Sequence, residues 1–466
     1  MTITLNESTI PLVRSRFAGD VLEPGDAGYD EARSLFNAMI DRRPRLIVRC
    51  TGAADVVAGI LLARETGLPL AIHSGGHGVN GFAMCDDGIV VDLSPMKRID
   101  VDPEARTARA QAGVTWGEFD AATQAHGLAT TGGRITTTGI AGLTLGTGSG
   151  WLERKLGFAA DNLIAADMVT ADGRLIHASE GENAGLFWGL RGGGGNFGVV
   201  TDFTYRLHEV GPTVLGGLVL WPIEQAGEVL RAYREFMAGA PDEVSGGGAI
   251  LTAPPAPFVP PEFHGKHMVA VIAAAFTDLE RAEELWRPMR DFGSPVADVV
   301  GPMPYTALQQ ILDANNPKGL YNYWKAELVR ELPDELIDAV VAHGDAIHSG
   351  HSVMFFQPLG GELARIPEGS SAISARNAPW ALHCIGEWVT PEETDYELGW
   401  VRAWAPIVEP YKLAGIPLTF SADAGDERVR ATYGGEKYAR LVALKDEYDP
   451  ENLFRLNQNI KPSTSG

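Results

Sequence analysis

Four stretches of this chain carry side chains or backbone that could do chemistry. The first is His73-Ser74-Gly75-Gly76-His77-Gly78. Adjacent glycines let the backbone turn sharply and bring N–H groups close to a ligand, as an anion-binding nest requires. A histidine on each side adds nucleophilic or acid–base capacity. Taken alone, the stretch reads more simply as a glycine turn between two ordinary histidines. The stretches downstream change that reading.

The second runs from Gly132 to Gly150, with seven glycines, five threonines and Arg134 in nineteen residues. Such a segment is poor at regular structure and good at hugging a flat polar ligand with its backbone. A flexible linker is the competing reading, but Ile135, Ile140, Leu143 and Leu145 are spaced to anchor the segment to a core. The third, Phe187 to Val200, contains a formal G-x-G-x-x-G at Gly193, Gly195 and Gly198. It follows a helical pattern and leads into a strand, the reverse of the dinucleotide fingerprint, so a Rossmann reading is rejected. The fourth is Asn457-Gln458-Asn459, either a solvated tail or a set of amides aimed at a ligand.

Regular elements must hold these stretches. Leu46-Ile47-Val48, a helix over Ala53 to Thr66 and the run to Ile72 make a β-α-β unit, and the first glycine loop hangs from its second strand. Ligands collect at such carboxyl ends. Short strands are expected at 89–93, 98–101 and 107–112, with a helix over 114–126. Ala171-Asp172-Gly173 after the run from Leu163 is a hairpin signal. Beyond Leu207 the texture changes. Amphipathic helices over 223–238 and 278–292 alternate with strands at 268–276, 321–329, 352–358 and 380–389. These would line a pocket with Tyr321, Tyr323, Trp324, Lys325, Phe355, Gln357 and Trp388. A final helix spans 438–447. The expected fold class is α+β. Its first part, residues 1–207, is rejoined by 421–466, and residues 208–420 form a second part with an antiparallel sheet and covering helices.

Composition bounds the possibilities. The 466 residues are 45% hydrophobic and 21% charged, ordinary for a globular protein with a large core. A net charge of −22 leaves no basic stripe for nucleic acid or for an anionic membrane surface, and favours neutral or cationic small molecules. Three cysteines without a CxxC pair suggest neither a disulfide framework nor a zinc site, and no metal is expected. The N-terminus lacks the apolar core of a secretory signal and no run is long enough to span a bilayer. The expected location is cytoplasmic, the expected state a monomer or homodimer.

The glycine clusters and C-terminal amides together carry a resemblance. The motifs are Ser74-Gly75-Gly76-His77, Asp92-Leu93-Ser94, Gly139-Ile140-Ala141-Gly142 with Leu145-Gly146, Lys155-Leu156-Gly157, Asp161-Asn162-Leu163, Arg191 through Val200, and Asn452-Leu453-Phe454-Arg455. In order and spacing, from about residue 20 to Pro462, the chain resembles berberine-bridge-enzyme-like flavoproteins with the vanillyl-alcohol-oxidase type of FAD-binding fold. The resemblance implies FAD bound by Ser74, Gly75, Gly76, His77, Gly78, Thr138, Gly139, Gly142, Gly146, Asn196, Gly198, Val200, Asn457 and Asn459. It assigns His77 as the residue joined to the flavin 8α carbon, with the 74–78 N–H groups on the pyrophosphate. Many relatives add a second bond through a cysteine. Ile135 stands near that position here, so a single attachment is expected. Cys85 is read as structural, and His73, where relatives usually have Arg, as a contact without a bond.

The resemblance implies a small-molecule oxidase. It would move hydride from an alcohol, amine or phenolic C–H to FAD and pass electrons to O2 to give H2O2. Many bacterial relatives carry a catalytic tyrosine where this chain has Pro417-Leu418-Thr419-Phe420. Either another residue serves as proton acceptor, with Tyr321, Tyr323, Lys325, Gln357 and Glu387 as the candidates, or the chemistry is different. Gln357 can only orient substrate, and a tyrosine beside Lys325 would make a phenol–ammonium pair. Core packing is the competing reading for each tyrosine. Thr138 stands where relatives control oxygen access. Two rival functions stay open: a flavin-N5-oxide oxygenase or oxidative cyclase, and a flavin-bearing drug-binding protein.

Overall fold

The computed structural model describes residues 8–413, 415 and 425–464. Strands β1 (Val21–Leu22), β2 (Leu46–Arg49), β3 (Leu70–His73) and β4 (Ile89–Asp92) form one sheet in the order β1-β2-β4-β3. β2 and β3 both run parallel to β4, which lies between them. The crossover helix is Ala53–Thr66, ended by Gly67 in the left-handed region that glycine adopts without strain. β4 is buried along its whole length, as expected of a parallel strand covered on both faces.

β5 (Ile99–Asp102), β6 (Thr107–Gln111), β8 (Leu163–Val169), β9 (Leu175–Ser179) and β10 (Val199–Arg206) make an antiparallel sheet in the order β5-β6-β10-β8-β9. The short β7 (Leu128–Ala129) pairs with β11 (His208–Glu209). The expected hairpin is β8–β9, turning at Gly173 with φ +84°. The third glycine cluster lies between helix Ala184–Leu190 and β10, confirming the helix-to-strand context.

The second part is one antiparallel sheet. It comprises β12 (Thr213–Pro222), β13 (Val244–Thr252), β14 (His267–Ala275), β15 (Ala297–Asp298), β16 (Gly301–Pro304), β17 (Tyr321–Val329), β18 (Val353–Pro358) and β19 (Trp380–Trp388). Its order is β15-β12-β14-β13-β18-β19-β17, with β16 on β12. Helices Ala226–Gly239, Leu279–Arg290, Asp334–Gly344 and Thr394–Ala403 contribute buried side chains to the same core as this sheet. The α+β class is therefore as expected.

Several elements depart from the sequence reading, among them strands β12 and β13 and the helices Ile140–Gly146, Asp334–Gly344 and Thr394–Ala403. β12 and β13 were unread because Gly216, Gly217 and Gly246 to Gly248 interrupt their apolar runs. At Gly217, φ is +138° and a Cβ would meet the Val299 carbonyl oxygen at 2.3 Å, so no side chain fits. The second glycine cluster, expected to be irregular, contains the helix Ile140–Gly146, because Ile140, Ala141, Thr144 and Leu145 bury one face. The final helix is Asp426–Tyr448, interrupted at Gly434 (φ 69°, ψ 173°). Its Val429, Tyr433, Leu441 and Leu444 join the core built by residues 10–207.

Candidate active site

A cavity of about 530 Å³ lies between the glycine clusters and the large antiparallel sheet. One wall is backbone. Ser74, Gly75, Gly76, His77 and Gly78 line it with Thr138, Gly139, Gly142, Gly146, Asn196, Gly198, Val200 and Asn457. The first two clusters pack main chain on main chain: a Cβ on Gly75 would meet Gly139 N at 2.4 Å. By contrast, a Cβ on Gly142 or Gly195 would meet nothing within 4 Å. Both line the cavity, and their bare backbone leaves space for a ligand to approach. Asn459 is not among the lining residues, although its neighbours Asn457 and Gln458 are.

His77 sits in this wall with its ring stacked on Phe36, centroids 3.8 Å apart. Its Nε2 is buried without a hydrogen-bond partner. Burial lowers its pKa to about 4, against a smaller upward pull from its own backbone, so the imidazole is neutral at physiological pH. His73 is absent from the lining. Its Nδ1 bonds Asp92 Oδ1 at 2.8 Å. Cys50, Cys85 and Cys384 are buried free thiols, and burial pushes Cys85 up to about 11. Ile135 lines the cavity.

The C-terminal segment is fixed by a buried ion pair. Lys445 Nζ donates to Asp449 Oδ2 at 2.6 Å and to the Asn196 and Phe454 carbonyls at 2.9 Å. Neither side chain is exposed. Asn196 Nδ2 reaches Gly193 O and Gln458 O, while Ile460 N donates to Asn196 Oδ1. Asn457 Nδ2 donates to Gly195 O, leaving its Oδ1 buried and unpartnered. The amides thus tie the chain end to the third glycine cluster.

The opposite wall comes from one face of β17, β18 and β19. Trp324, Val353, Phe355, Gln357, His383, Ile385 and Glu387 line the cavity, each two residues from the next along its own strand. The same alternation removes Tyr321, Tyr323 and Lys325, which occupy the other face of β17 and do not line the cavity. Tyr321 stacks on Trp388 at 6.0 Å, and Arg402 of helix Thr394–Ala403 lies over the Tyr323 ring at 5.7 Å. Trp388 is likewise off the cavity. Of the pocket set expected from sequence, Trp324, Phe355 and Gln357 line the cavity, whereas Tyr321, Tyr323, Lys325 and Trp388 lie one residue out of step, which on a strand means the opposite face.

Glu387 is the only carboxylic acid among the described lining residues. Its Oε1 is buried without a partner. Burial raises its pKa to about 8, against a smaller downward pull from the Trp324 indole, which also donates to Asn322 Oδ1 at 3.1 Å. Gln357 is spent on protein contacts: its Nε2 donates to Ser149 Oγ at 2.9 Å and Glu153 Oε1 at 2.7 Å, and its Oε1 meets His383 Nε2 at 2.9 Å. Sequence reading missed Arg134, Ser149, Glu153 and His383, although His383 could have been found four residues before Glu387 on the same strand face. Pro417 to Phe420 lie outside the described residues. No group of three or more potential metal ligands occurs among the described residues.

A backbone cradle carrying a neutral, unpartnered histidine and facing a wall with one buried carboxyl defines the class of protein: an enzyme that holds a ligand by main-chain contact against a proton-transfer group. Comparisons sharpen this. The family described as FAD binding domain matches residues 44–179, and the family described as Berberine and berberine like matches residues 410–461. The (R)-6-hydroxynicotine oxidase of Paenarthrobacter nicotinovorans is 30% identical over 462 residues, covering 96% of this chain and 97% of that one. An FAD-linked oxidoreductase of Dictyostelium discoideum is 30% identical over 453 residues, 95% of each. The crystal structure of 6-hydroxy-D-nicotine oxidase from Arthrobacter nicotinovorans superposes with a TM-score of 0.85 at 28% identity, covering 96% of this chain and 98% of that one. A chitooligosaccharide oxidase shares the fold, with a TM-score of 0.83 at 21% identity, 98% of this chain and 100% of that one. The chain belongs to the berberine-bridge-like family of FAD-linked oxidoreductases.

Proposed function

We propose that this protein is an oxidase whose FAD is joined covalently to His77 and to no other residue. It acts on a small, ring-bearing amine, alcohol or phenol, with Glu387 taking the N–H or O–H proton. The single observation that carries the reading is the buried Glu387 carboxyl facing the glycine cradle across one cavity. The residues fit the cofactor. Gly142 and Gly195 leave open the space a Cβ would fill, Asn457 Oδ1 is a buried acceptor in need of a donor, and His77 Nε2 is an orphan nitrogen.

FAD, held by the glycine cradle, would supply hydride acceptance from the substrate carbon and two-electron delivery to dioxygen, giving peroxide. The chain does the rest. His77, neutral and held against Phe36, keeps a lone pair for bonding. Trp324, Phe355, Val353 and Ile385 give flat apolar walls that exclude water and orient a ring. Glu387 accepts the proton from substrate nitrogen or oxygen; a carboxyl with pKa about 8 is matched to that task near neutral pH. The apolar walls favour a compact ring over an oligosaccharide.

We assign cofactor binding to residues 1–207 with 421–466 and substrate binding to 208–420. No helix among the described residues is long and apolar enough to cross a membrane. Three buried free thiols suit a reducing, cytoplasmic setting.

The test is an amine, alcohol and sugar panel read by peroxide release, with acid precipitation beside it. Ring-bearing amines, alcohols or phenols should release peroxide, and the pellet should stay yellow in the wild type and lose its colour in His77→Ala. A coloured His77→Ala pellet refutes the linkage. A panel answered only by oligosaccharides refutes the substrate class.

A further inference from the structure

The polar cluster on the cavity wall has a fixed direction, and that direction can be read group by group. Glu153 is fully buried and accepts four bonds: from Arg134 Nη2 and Gln357 Nε2 at 2.7 Å on Oε1, and from Ser149 Oγ at 2.6 Å and Gly150 N at 3.1 Å on Oε2. A carboxylate paired with a guanidinium can only accept. Ser149 gives its one proton to Glu153 and accepts from Arg134 Nη1 at 2.8 Å and Gln357 Nε2 at 2.9 Å. Its hydroxyl is then saturated.

Both partners therefore demand the amino side of the Gln357 amide. This settles which way the amide points, a choice usually left to network logic. Gln357 Oε1 must face His383, and the 2.9 Å contact is a donation from His383 Nε2–H. Burial, with Arg134 adding to it, lowers the His383 pKa to about 3, so the ring carries one proton only. Among the described residues, Arg134 bears on it directly and Glu153 through Gln357.

We propose that Gln357 is a positioning residue that transmits the Arg134–Glu153 pair to His383. It fixes the Nε2–H tautomer, so that the His383 ring offers a ligand neither an N–H donor nor positive charge. The ring then selects against substrates that turn a carboxylate or another acceptor-only group towards it. The selection rests on reading the cavity as a substrate site; the tautomer does not. Gln357 is thus kept from touching substrate, and its effect is exerted through the ring beside it.

The experiment uses holoenzyme with ring-15N histidine, the His383 signals being assigned by their loss in His383→Gln. The expected spectrum has Nε2 protonated and Nδ1 unprotonated, unchanged across the neutral pH range. A protonated Nδ1, or a ring that titrates near neutrality, overturns the proposal. In Gln357→Leu the two nitrogens should move towards a tautomer average; an unchanged spectrum overturns the relay. Should that variant not fold, Glu153→Gln, whose amide can offer N–H as well as O, should give the same mixing, and an unmixed spectrum there is equally fatal. Selection is read on whichever panel compound releases peroxide and on its carboxylate-bearing analogue. Gln357→Leu should narrow the ratio of their kcat/KM values by about tenfold, the worth of one hydrogen bond. An unnarrowed ratio removes the selectivity role even where the tautomer is found. If no panel compound is oxidised, the oxidase reading fails and the spectra alone decide the tautomer.

Discussion

Replacing Glu387 by Gln tests the site and the stability of the fold with one variant. The carboxyl is buried, its Oε1 has no partner, and its pKa lies at about 8 against an ordinary 4.5. Because the folded state holds the proton more tightly than the unfolded chain does, stability is greatest below pH 4.5. It falls as pH rises to about 8, by up to about 1.4 kcal/mol per pH unit. The whole interval corresponds to about 5 kcal/mol. Glutamine cannot ionise, so the variant should lose this slope and outlast the wild type in urea above pH 8, while the two converge in acid. Activity should move the other way. As a proton acceptor Glu387 must be ionised, so wild-type kcat/KM should climb with pH, reach half its maximum near 8 and level off above that. The variant should be about 10²- to 10⁴-fold slower, with a flat profile. Urea midpoints across pH and initial rates of peroxide release measure both. Parallel stability slopes would show that the carboxyl is not buried in its neutral form. A variant within a few-fold of wild-type rate would move the proton acceptor elsewhere.

Two further outcomes follow from buried groups away from the substrate. Asp120 is fully buried and bonded by Gln309 Nε2 at 2.7 Å, and burial raises its pKa to about 7 from 3.8. Its contribution is present below pH 3.8 and lost up to pH 7, so Asp120→Asn should stabilise the protein at pH 8 by up to about 4 kcal/mol and do nothing at low pH in denaturant titrations. Lys445→Met should cost about 3–5 kcal/mol by leaving Asp449 charged and buried, and Lys445→Met with Asp449→Leu should recover part of it. A single variant that unfolds at the wild-type midpoint would refute that account.

How much was legible in the chain depends on how local each feature is. The helix Ala53–Thr66, the β8–β9 turn at Gly173 and the helix-to-strand setting of Gly193 to Gly198 are set by neighbours in sequence, and pattern reading finds them. The glycine loops carrying Gly75 and Gly139 were visible as clusters, but their backbone contact joins residues 64 positions apart. The inward face of β17 was not legible, since Tyr321, Tyr323 and Lys325 form as plausible a stripe as Asn322 and Trp324. Pairing of Asn322 with Glu387 and Trp324 with Ile385 settles the face, and that is long-range information. β12 and β13 were hidden by glycines whose reason is a neighbouring strand or loop. The Glu153–Gln357–His383 cluster was invisible because its members are distant in the chain and ordinary in type.

The Lys445–Asp449 pair has a consequence in time. The cradle opens at Ser74 but is closed by Asn457, so its two edges meet only after nearly four hundred intervening residues have found their places. Closing so long a loop is slow compared with forming the local β-α-β unit. The bonds that Lys445 gives to Asn196 and Phe454 can engage only when both edges are in place. A nascent chain that stops short of Phe454 would carry every glycine loop and still lack the wall that holds a cofactor in place.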